Sequence, residues 1–205
     1  MTGRCLIFCS LPPGQTPDVG PGDFVIACDR GAVFAKACGV SPDLLVGDFD
    51  SWQGELPGVP VLRFPVEKDD TDSMLAVREG LHRGYRDFVL YGALGGRLDH
   101  TLANVQTLLF LGRRGGSGLL DGEKETVTLV RNETRAFLRR EGVSFSVLAF
   151  EGAARGVTLR GVQYPLTDAV LTESFPLGHG NRITEEKALV SVRDGALLVI
   201  ESKIP

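Results

Sequence analysis

The stretch from Pro42 to Ser51, PDLLVGDFDS, joins an apolar run to a glycine and two aspartates. The run Leu44–Val46 predicts a short buried strand, and Gly47 lets the backbone beyond it approach a ligand closely. In an extended chain, residues i and i+2 point to the same side, with Cα atoms about 6–7 Å apart. Asp48 and Asp50 can therefore converge on one hard cation, while a polar turn after a strand is the simpler interpretation of an isolated pair.

Apolar runs and helical patterns alternate on both sides of this stretch as far as about residue 115. Such alternation predicts a parallel sheet with helices on both faces. The predicted strands are Leu6–Phe8, Phe24–Ala27, Leu44–Val46, Val61–Phe64 and Phe88–Tyr91, and the predicted helices are Gly31–Gly39, Thr71–Arg83 and Leu98–Arg113.

The pattern changes at Arg113–Gly118, RRGGSG, which predicts a linker. Beyond it, short β-branched and aromatic runs separated by turn signals predict an all-β sandwich. The predicted strands there are Thr126–Val130, Val143–Phe150, Val157–Leu159, Ala169–Leu171, Leu189–Val192 and Ala196–Glu201. We therefore expect the fold class α/β plus all-β, with an N-terminal parallel-sheet α/β domain over residues 1–115 and a C-terminal β-sandwich over residues 119–205.

Composition and charge exclude several classes of function. The chain has 205 residues, of which 43% are hydrophobic and 23% charged, as in an ordinary globular protein with a sizeable core. A net charge of −4 argues against a nucleic-acid partner. No apolar stretch approaches the roughly 18 residues of a membrane helix, and the N-terminal apolar segment is too short for a secretory signal. The four cysteines form no C-x-x-C pair, so we expect reduced thiols and a cytoplasmic location.

A second acidic cluster, Glu67–Ser73 or EKDDTDS, follows the fourth predicted strand. One aspartate there can cap the next helix, but capping does not explain four acids in six positions, whose like charges repel. A bound Mg²⁺ would relieve that repulsion, because Mg²⁺ prefers a few carboxylates together with phosphate oxygens and water. Ligands of open α/β sheets bind outside the carboxyl ends of the strands, where both acidic clusters fall.

A third segment, Gly92–Asn104 or GALGGRLDHTLAN, leads from a predicted strand into a helix. Its glycines, among them Gly95 and Gly96, expose backbone N–H groups that suit an anion at a helix start. A glycine-rich connector with a capping aspartate is the alternative. The polar side chains that we take as candidates for phosphate or acceptor binding are Arg97, Asp99, His100 and Asn104.

A weaker strand-to-helix signal is Cys28–Ala32, CDRGA, in which Asp29 either caps a helix or faces the same sheet edge. The sequence contains no Walker A loop, no G-x-G-x-x-G, no G-x-S-x-G elbow and no Cys/His cluster with zinc-like spacing.

Together and in this order, these segments resemble the thiamine pyrophosphokinase family. The resemblance covers about residue 24 to the end and rests on Asp29–Ala32, Pro42–Asp43, Gly47–Ser51, Lys68–Asp72 and Gly95–His100 with Asn104. The C-terminal runs Phe145–Phe150, Gly161–Leu166 and Gly195–Ile200 are similar to the last strands of the family.

The resemblance implies transfer of a pyrophosphoryl group from ATP to the hydroxyl of thiamine, with release of AMP. It also implies Mg²⁺, an α/β domain followed by a β-sandwich, and a homodimer that holds thiamine at the subunit interface. The acidic pattern agrees with it, because thiamine is a cation that suits acidic walls.

In this interpretation Asp48, Asp50 and Asp72 hold Mg²⁺, Arg97 contacts phosphate and Asp99 orients the acceptor. The general base stays open between Asp99 and Asp72. The expected nucleotide contacts are Asp29, Gly31, Asp43, Lys68, Asp69, Gly95, Gly96 and Arg97, and the expected thiamine contacts are Asp99, His100, Asn104, Gly180 and Asn181.

One position departs from the family pattern. Gly180 stands where the family commonly has a serine before the asparagine, here Asn181, and that serine is associated with thiamine contact. Gly180 either omits a hydroxyl from the acceptor site or serves a turn with positive φ. Two other functions remain open: a pyrophosphokinase for another acceptor such as a hydroxymethylpterin, and a nucleotide- or metal-binding module without catalysis.

Overall fold

The computed structural model describes residues 3–49, 58–64 and 70–204. The chain divides into two compact units, Met1–Glu123 and Lys124–Pro205. In the described ranges, none of the helices has the length and apolar character needed to cross a membrane.

The first unit is an α/β layer, and its described strands all pair in parallel in the order β4-β3-β2-β1-β5-β6. The strands are β1 Cys5–Phe8, β2 Phe24–Cys28, β3 Leu44–Gly47, β4 Val61–Arg63, β5 Asp87–Tyr91 and β6 Ser117–Asp121. The helices are α1 Gly31–Ala37, α2 Asp72–His82 and α3 Leu98–Gly112.

Helices cover both faces of this sheet, as the alternating pattern predicts. Leu6 and Phe8 of β1 belong to the apolar cluster that includes Ala32 and Ala35 of α1. Cys5 of β1 lies instead beside α2, where a Cβ built on Gly80 would come within 2.7 Å of its Sγ. Because neighbouring residues of a strand point to opposite faces, α1 and α2 lie on opposite sides of the sheet.

The sequence did not predict β6. Ser117 and Gly118 fall in the segment expected to be a linker, yet they begin a strand that pairs with β5. A Cβ on Gly118 would lie 2.6 Å from Leu108 Cδ2 of α3, so this glycine permits close packing of helix on strand. From sequence alone, the same glycine had favoured a turn.

The second unit consists of two antiparallel sheets, ordered β7-β13-β9 and β11-β10-β12-β8. Its strands are β7 Glu125–Arg131, β8 Thr134–Leu138, β9 Val143–Ala149, β10 Ala154–Arg160, β11 Leu166–Leu171, β12 Lys187–Ser191 and β13 Ala196–Lys203. One buried core takes Phe145 and Leu197 from the first sheet and Val157 and Val190 from the second, which confirms the predicted sandwich. β8 was not predicted, because Phe137 is its one buried residue.

Gly31 gives a direct test of the packing between α1 and the sheet. A Cβ at Gly31 would lie 2.1 Å from the carbonyl oxygen of Phe8, which is backbone and cannot rotate away. We expect Gly31→Ala to lower the free energy of unfolding by about 3 kcal/mol, as measured by urea denaturation. Val33→Ala, on the exposed side of the same helix, is the control and should change it by less than about 0.5 kcal/mol. A Gly31→Ala protein as stable as this control would contradict the packing.

Candidate active site

A cleft of about 400 Å³ opens where the parallel strands of the first unit end. Five residues that the sequence singled out contribute to its wall, namely Asp72, Gly95, Asp99, His100 and Asn104. The sequence analysis did not single out the remaining wall residues, which are Cys9, Ser10, Leu11, Cys28, Thr71, Ser73, Gly92, Ala93 and Ala103. Most of these are small or apolar and carry no chemical signature, so only the topology reveals them.

Asp29 follows β2 in a strained backbone conformation beside the end of β3. Its φ is 44°, and its N–H donates to the carbonyl of Val46 at 3.1 Å. A Cβ on Gly47 would lie 1.8 Å from Asp29 Oδ1, so only glycine leaves room for this carboxylate. The sequence analysis assigned Gly47 to the close approach of a ligand, whereas the group that approaches it here is the side chain of Asp29.

The carboxylate of Asp29 is electrostatically crowded. Its Oδ1 is buried and has no hydrogen-bond partner in the described part of the chain. Burial raises its pKa to about 7, together with a hydrogen bond to the Asp72 side chain and the charges of Asp72 and Asp48. The backbone of Phe49 opposes the shift by donating a hydrogen bond. These three acids therefore share one local field, which a cation would relieve.

The predicted metal ligands are only partly described. Asp48 and Asp72 lie at this edge, but Asp50 falls outside the described residues, as do the predicted nucleotide contacts Lys68 and Asp69. In the described ranges, no group of three or more His, Cys, Asp or Glu side chains is arranged to hold a metal ion. A cation beside Asp29 would thus need further oxygen ligands, and phosphate oxygens and water supply those for Mg²⁺.

The glycine-rich loop after β5 has the expected form. Gly95 and Gly96 have φ values of 94° and 66°, backbone conformations that residues with a side chain rarely adopt. Helix α3 begins directly after Arg97. Arg97 Nη2 donates to Asp99 Oδ2 at 2.5 Å, and both side chains are exposed. The loop therefore presents backbone N–H groups and a guanidinium near one helix start, a combination that suits phosphate.

Asp99 is a carboxylate at neutral pH. The hydrogen bond from Arg97 lowers its pKa, and the backbone N–H of His100 adds to the effect by donating to Oδ1 at 2.9 Å. A carboxylate with a lowered pKa is a weak general base. Its charge instead suits the orientation of a cationic acceptor.

Among the described nucleotide contacts predicted from the sequence, Gly95 lines the cleft, whereas Asp29, Gly31, Asp43, Gly96 and Arg97 are not among its lining residues. Asp43 stands at the amino end of β3, where its Oδ2 accepts from the N–H of Val25 at 2.8 Å. Asp43 and Asp48 are five residues apart along an extended strand, so they lie about 16 Å apart, beyond opposite ends of β3. Gly31 contacts the carbonyl of Phe8 and serves packing. These placements do not support a nucleotide contact by either residue.

Two buried thiols lie at the bottom of the cleft. Burial raises the pKa of Cys9 to about 12 and that of Cys28 well above its ordinary value. Both groups stay protonated at neutral pH, so neither is an activated nucleophile.

In the second unit, Asn181 is buried and its amide holds the backbone of Tyr164 in both directions. Tyr164 N–H donates to Asn181 Oδ1 at 3.1 Å, and Asn181 Nδ2 donates to the Tyr164 carbonyl at 2.9 Å. Gly180 has a φ of 71°, and a Cβ built on it would meet no atom within 4 Å. This geometry favours the turn interpretation of Gly180. The thiamine contacts expected for Gly180 and Asn181 stay predictions.

Asp29 should make the stability of the protein pH-dependent. An unfolded aspartate titrates near its ordinary pKa of about 4, whereas folded Asp29 titrates at about 7. Between these values the folded state holds a proton that the unfolded state lacks, so the free energy of unfolding falls as pH rises. Asp29→Asn removes the titrating carboxyl, so this fall in the free energy of unfolding disappears, and asparagine tolerates a positive φ. We expect the melting temperature of Asp29→Asn, relative to wild type, to be higher at pH 8 than at pH 5.

Asp168→Asn is the matched control, because Asp168 is exposed and has a similar φ of 49°. Its difference from wild type should be the same at both pH values. Calorimetry or circular dichroism measures both variants, and an Asp29→Asn difference that does not change with pH would contradict the crowding of Asp29.

Gly180→Ser tests the turn interpretation in the second unit. Serine at a φ of 71° is strained, so we expect a loss of about 1 kcal/mol in the free energy of unfolding. Gly180→Asn should cost less, because asparagine adopts this conformation more readily. Denaturant unfolding of both variants decides, and a serine variant as stable as wild type would favour the interpretation in which only a hydroxyl is missing.

Comparison with known proteins finds similar sequences and folds in one family. Residues 21–115 match the family model "Thiamin pyrophosphokinase, catalytic domain". The thiamine pyrophosphokinase of Bacillus subtilis (strain 168) is 28% identical over 185 residues, which cover 86% of each chain. The crystal structure of a thiamine pyrophosphokinase from Bacillus subtilis shares the fold with a TM-score of 0.88 at 24% identity, over 98% of this chain and 99% of that one.

A thiamin pyrophosphokinase family protein from Enterococcus faecalis superimposes with a TM-score of 0.79 at 25% identity, over 99% of both chains. The fold is therefore shared along the whole chain, and the sequence match includes the acidic strand ends and the glycine-rich loop. These findings confirm the resemblance in the sequence to the thiamine pyrophosphokinase family, whose catalytic-domain model matches residues 21–115.

Proposed function

We propose that this chain transfers a pyrophosphoryl group from ATP to the hydroxyl of thiamine, giving thiamine diphosphate and AMP. The observation that carries the proposal is the crowding of Asp29 by Asp72 and Asp48, at the strand ends beside a cleft with a glycine-rich helix start. Crowded acids next to an anion site suit a metal–phosphate substrate better than a purely structural role. The relative from Bacillus subtilis is named for the same reaction.

In this proposal Asp48 and Asp72 hold Mg²⁺ together with phosphate oxygens and water, and the Asp29 carboxylate adds its negative charge beside them. Asp50 keeps its predicted metal role from outside the described residues. When bound, Mg²⁺ neutralises the charge that develops on the phosphate oxygens. Asp29 is then ionised, because a bound cation reverses the effect of its acidic neighbours.

The phosphates of ATP lie against the loop of Gly95 and Gly96. The backbone N–H groups at the start of α3 donate hydrogen bonds to the phosphate oxygens, and Arg97 turns from Asp99 to phosphate. This exchange is feasible because both side chains are exposed. Lys68 and Asp69 remain predicted ATP contacts outside the described residues.

The acceptor lies beside Asp99 and His100, which line the cleft. The Asp99 carboxylate attracts the cationic ring and orients the hydroxyl for in-line attack. Such a transfer depends chiefly on positioning and electrostatics, so no strong general base is required. The lowered pKa of Asp99 is consistent with an orienting role.

We further propose a cytoplasmic homodimer in which residues 1–115 bind nucleotide and residues 119–205 bind thiamine and the partner subunit. The second unit exposes Tyr164, Phe175 and Leu177, side chains that are common at subunit interfaces. All four cysteines are free, as expected in a reducing compartment. Sedimentation equilibrium tests the dimer, and a fully active monomer would contradict it.

The direct test of the function is incubation with ATP, Mg²⁺ and thiamine, followed by mass analysis. We expect equimolar thiamine diphosphate and AMP, formed only when thiamine is present. Product from a hydroxymethylpterin but not from thiamine would indicate another acceptor. No acceptor-dependent AMP at all would indicate a binding module without catalysis.

Asp48→Asn and Asp72→Asn test the metal site, because each keeps the size of the side chain and removes its charge. We expect kcat to fall by roughly 100-fold or more, equivalent to about 3 kcal/mol of transition-state stabilisation. The fold should survive, since both residues lie at element ends. Asp87→Asn, at the amino end of β5, is the control and should keep wild-type turnover. Near-normal turnover of Asp48→Asn and Asp72→Asn at saturating Mg²⁺ would contradict the assignment.

A further inference from the structure

We infer that Asn104 is a positioning residue that joins the first turn of α2, which carries Asp72, to the loop after β5, which carries Gly95. The inference rests on the proposed function, because it concerns the geometry of the same metal–phosphate site. The sequence had predicted Asn104 to contact the acceptor. The structure points to a different use of its side chain.

Both ends of the Asn104 amide are bonded inside the protein. Its Oδ1 accepts a hydrogen bond of 2.7 Å from Ser73 Oγ, and its Nδ2 donates one of 2.7 Å to the carbonyl of Ala93. Asn104 and Ser73 are 9% and 8% exposed, so these bonds form largely away from water. Buried polar groups that lose such partners cost more than exposed ones.

The donor and acceptor roles are fixed by chemistry. A carbonyl oxygen can only accept, so Nδ2 must face Ala93 and Oδ1 must face Ser73. Ser73 Oγ donates its single proton to Asn104. The hydroxyl of Thr71, 3.1 Å from Ser73 Oγ, must therefore be the donor to Ser73. The chain Thr71–Ser73–Asn104–Ala93 therefore runs in one direction with each proton assigned, an arrangement that strengthens its members.

The two groups that Asn104 joins are each adjacent to a proposed ligand contact. Ser73 follows Asp72 in the first turn of α2, and Ala93 lies two residues before Gly95. Both segments are also hydrogen-bonded to strands of the sheet. In the first turn of α2, the carbonyl of Asp72 accepts from Cys28 Sγ at 3.5 Å. In the loop after β5, Ala93 N–H donates to the carbonyl of Asp121 at 2.8 Å. The Asn104 side chain therefore connects these two segments through its hydrogen bonds to Ser73 and Ala93.

This link sets the spacing between a metal carboxylate and the phosphate loop. Both must engage one Mg²⁺–nucleotide, and a misplacement of about 1 Å lowers catalysis substantially. An aspartate at 104 would lack the donor for Ala93, and a leucine would lack both bonds. The side chain acts through Asp72 and Gly95 and needs no contact with the substrate.

The test is a double-mutant cycle of Ser73→Ala and Asn104→Leu. Isothermal calorimetry measures the Kd of Mg²⁺ with α,β-methylene-ATP, which cannot undergo the transfer, and kcat is measured with thiamine. We expect each single variant to weaken binding and lower kcat by about tenfold, and the double variant to lose no more than either single one. Asn104→Asp, which retains the shape and the acceptor of the amide, covers the case in which Asn104→Leu fails to fold.

Thr107→Val is the matched control. Thr107 is a buried polar residue of the same helix, and its hydroxyl donates only within α3, to the carbonyl of Ala103 at 3.0 Å. Its Kd and kcat should stay within about twofold of wild type. Losses in Ser73→Ala and Asn104→Leu that multiply in the double variant would overturn the inference, as would changes confined to the melting temperature.

The failure of the proposed function is distinguishable from the failure of this inference. A wild-type chain that binds the Mg²⁺–nucleotide analogue but converts no thiamine refutes the acceptor, while the Kd cycle still decides the role of Asn104. A wild-type chain that does not bind the analogue overturns both.

Discussion

The site depends on the repulsion between three carboxylates, two that follow parallel strands and one in the first turn of α2. Asp29 lies within the field of Asp72 and Asp48, and one of its oxygens has no partner in the described structure. This arrangement destabilises the free protein at neutral pH, because the half-buried carboxyl must either hold a proton or carry a poorly solvated charge. In the proposed function, a bound divalent cation removes this cost.

The sheet makes this crowding possible. β2 and β3 are parallel neighbours, so Asp29 and Asp48 leave the sheet at the same edge. Gly47 leaves the space into which the Asp29 side chain packs, and the positive φ of Asp29 turns its carboxylate there. On the other side, Asn104 ties the first turn of α2 to the glycine-rich loop. Asp72 and the glycine-rich loop thus line one cleft, and Asp29 lies beside the Asp72 side chain.

Local pattern was sufficient to predict much of this fold. Strands β1, β2 and β5 are covered on both faces, and strands of this kind have continuous apolar sequences. Such runs can be recognised without knowledge of the fold. Helix α2 was predicted as well, although Thr71 caps it in place of the expected aspartate, accepting from the N–H of Met74 at 3.2 Å. The acidic strand ends and glycine-rich loop were also recognisable, because ligands of α/β sheets bind at that edge.

The features of the fold and the site that the sequence did not predict depend on contacts between residues far apart in the chain. Gly118 has the signature of a turn but lies under α3, and Asp43 has the signature of a site residue but lies at the wrong end of β3. Burial raises the pKa of Asp29, and Asp72, 43 residues further along the chain, raises it further. The internal bonds of Asn104 likewise reach Ser73, 31 residues earlier. Residue type and spacing carry no information on such pairs.

The most direct test of the shared carboxylate field is a carbon-13 NMR titration of the Asp29 carboxyl, assigned by comparison with Asp29→Asn. Without metal we expect a pKa of about 7, and with saturating Mg²⁺ and α,β-methylene-ATP a pKa below the ordinary value of about 4. A pKa near 4 in the free protein would contradict the crowding of the three acids. A raised pKa that Mg²⁺ and nucleotide leave unchanged would contradict a cation site at these strand ends.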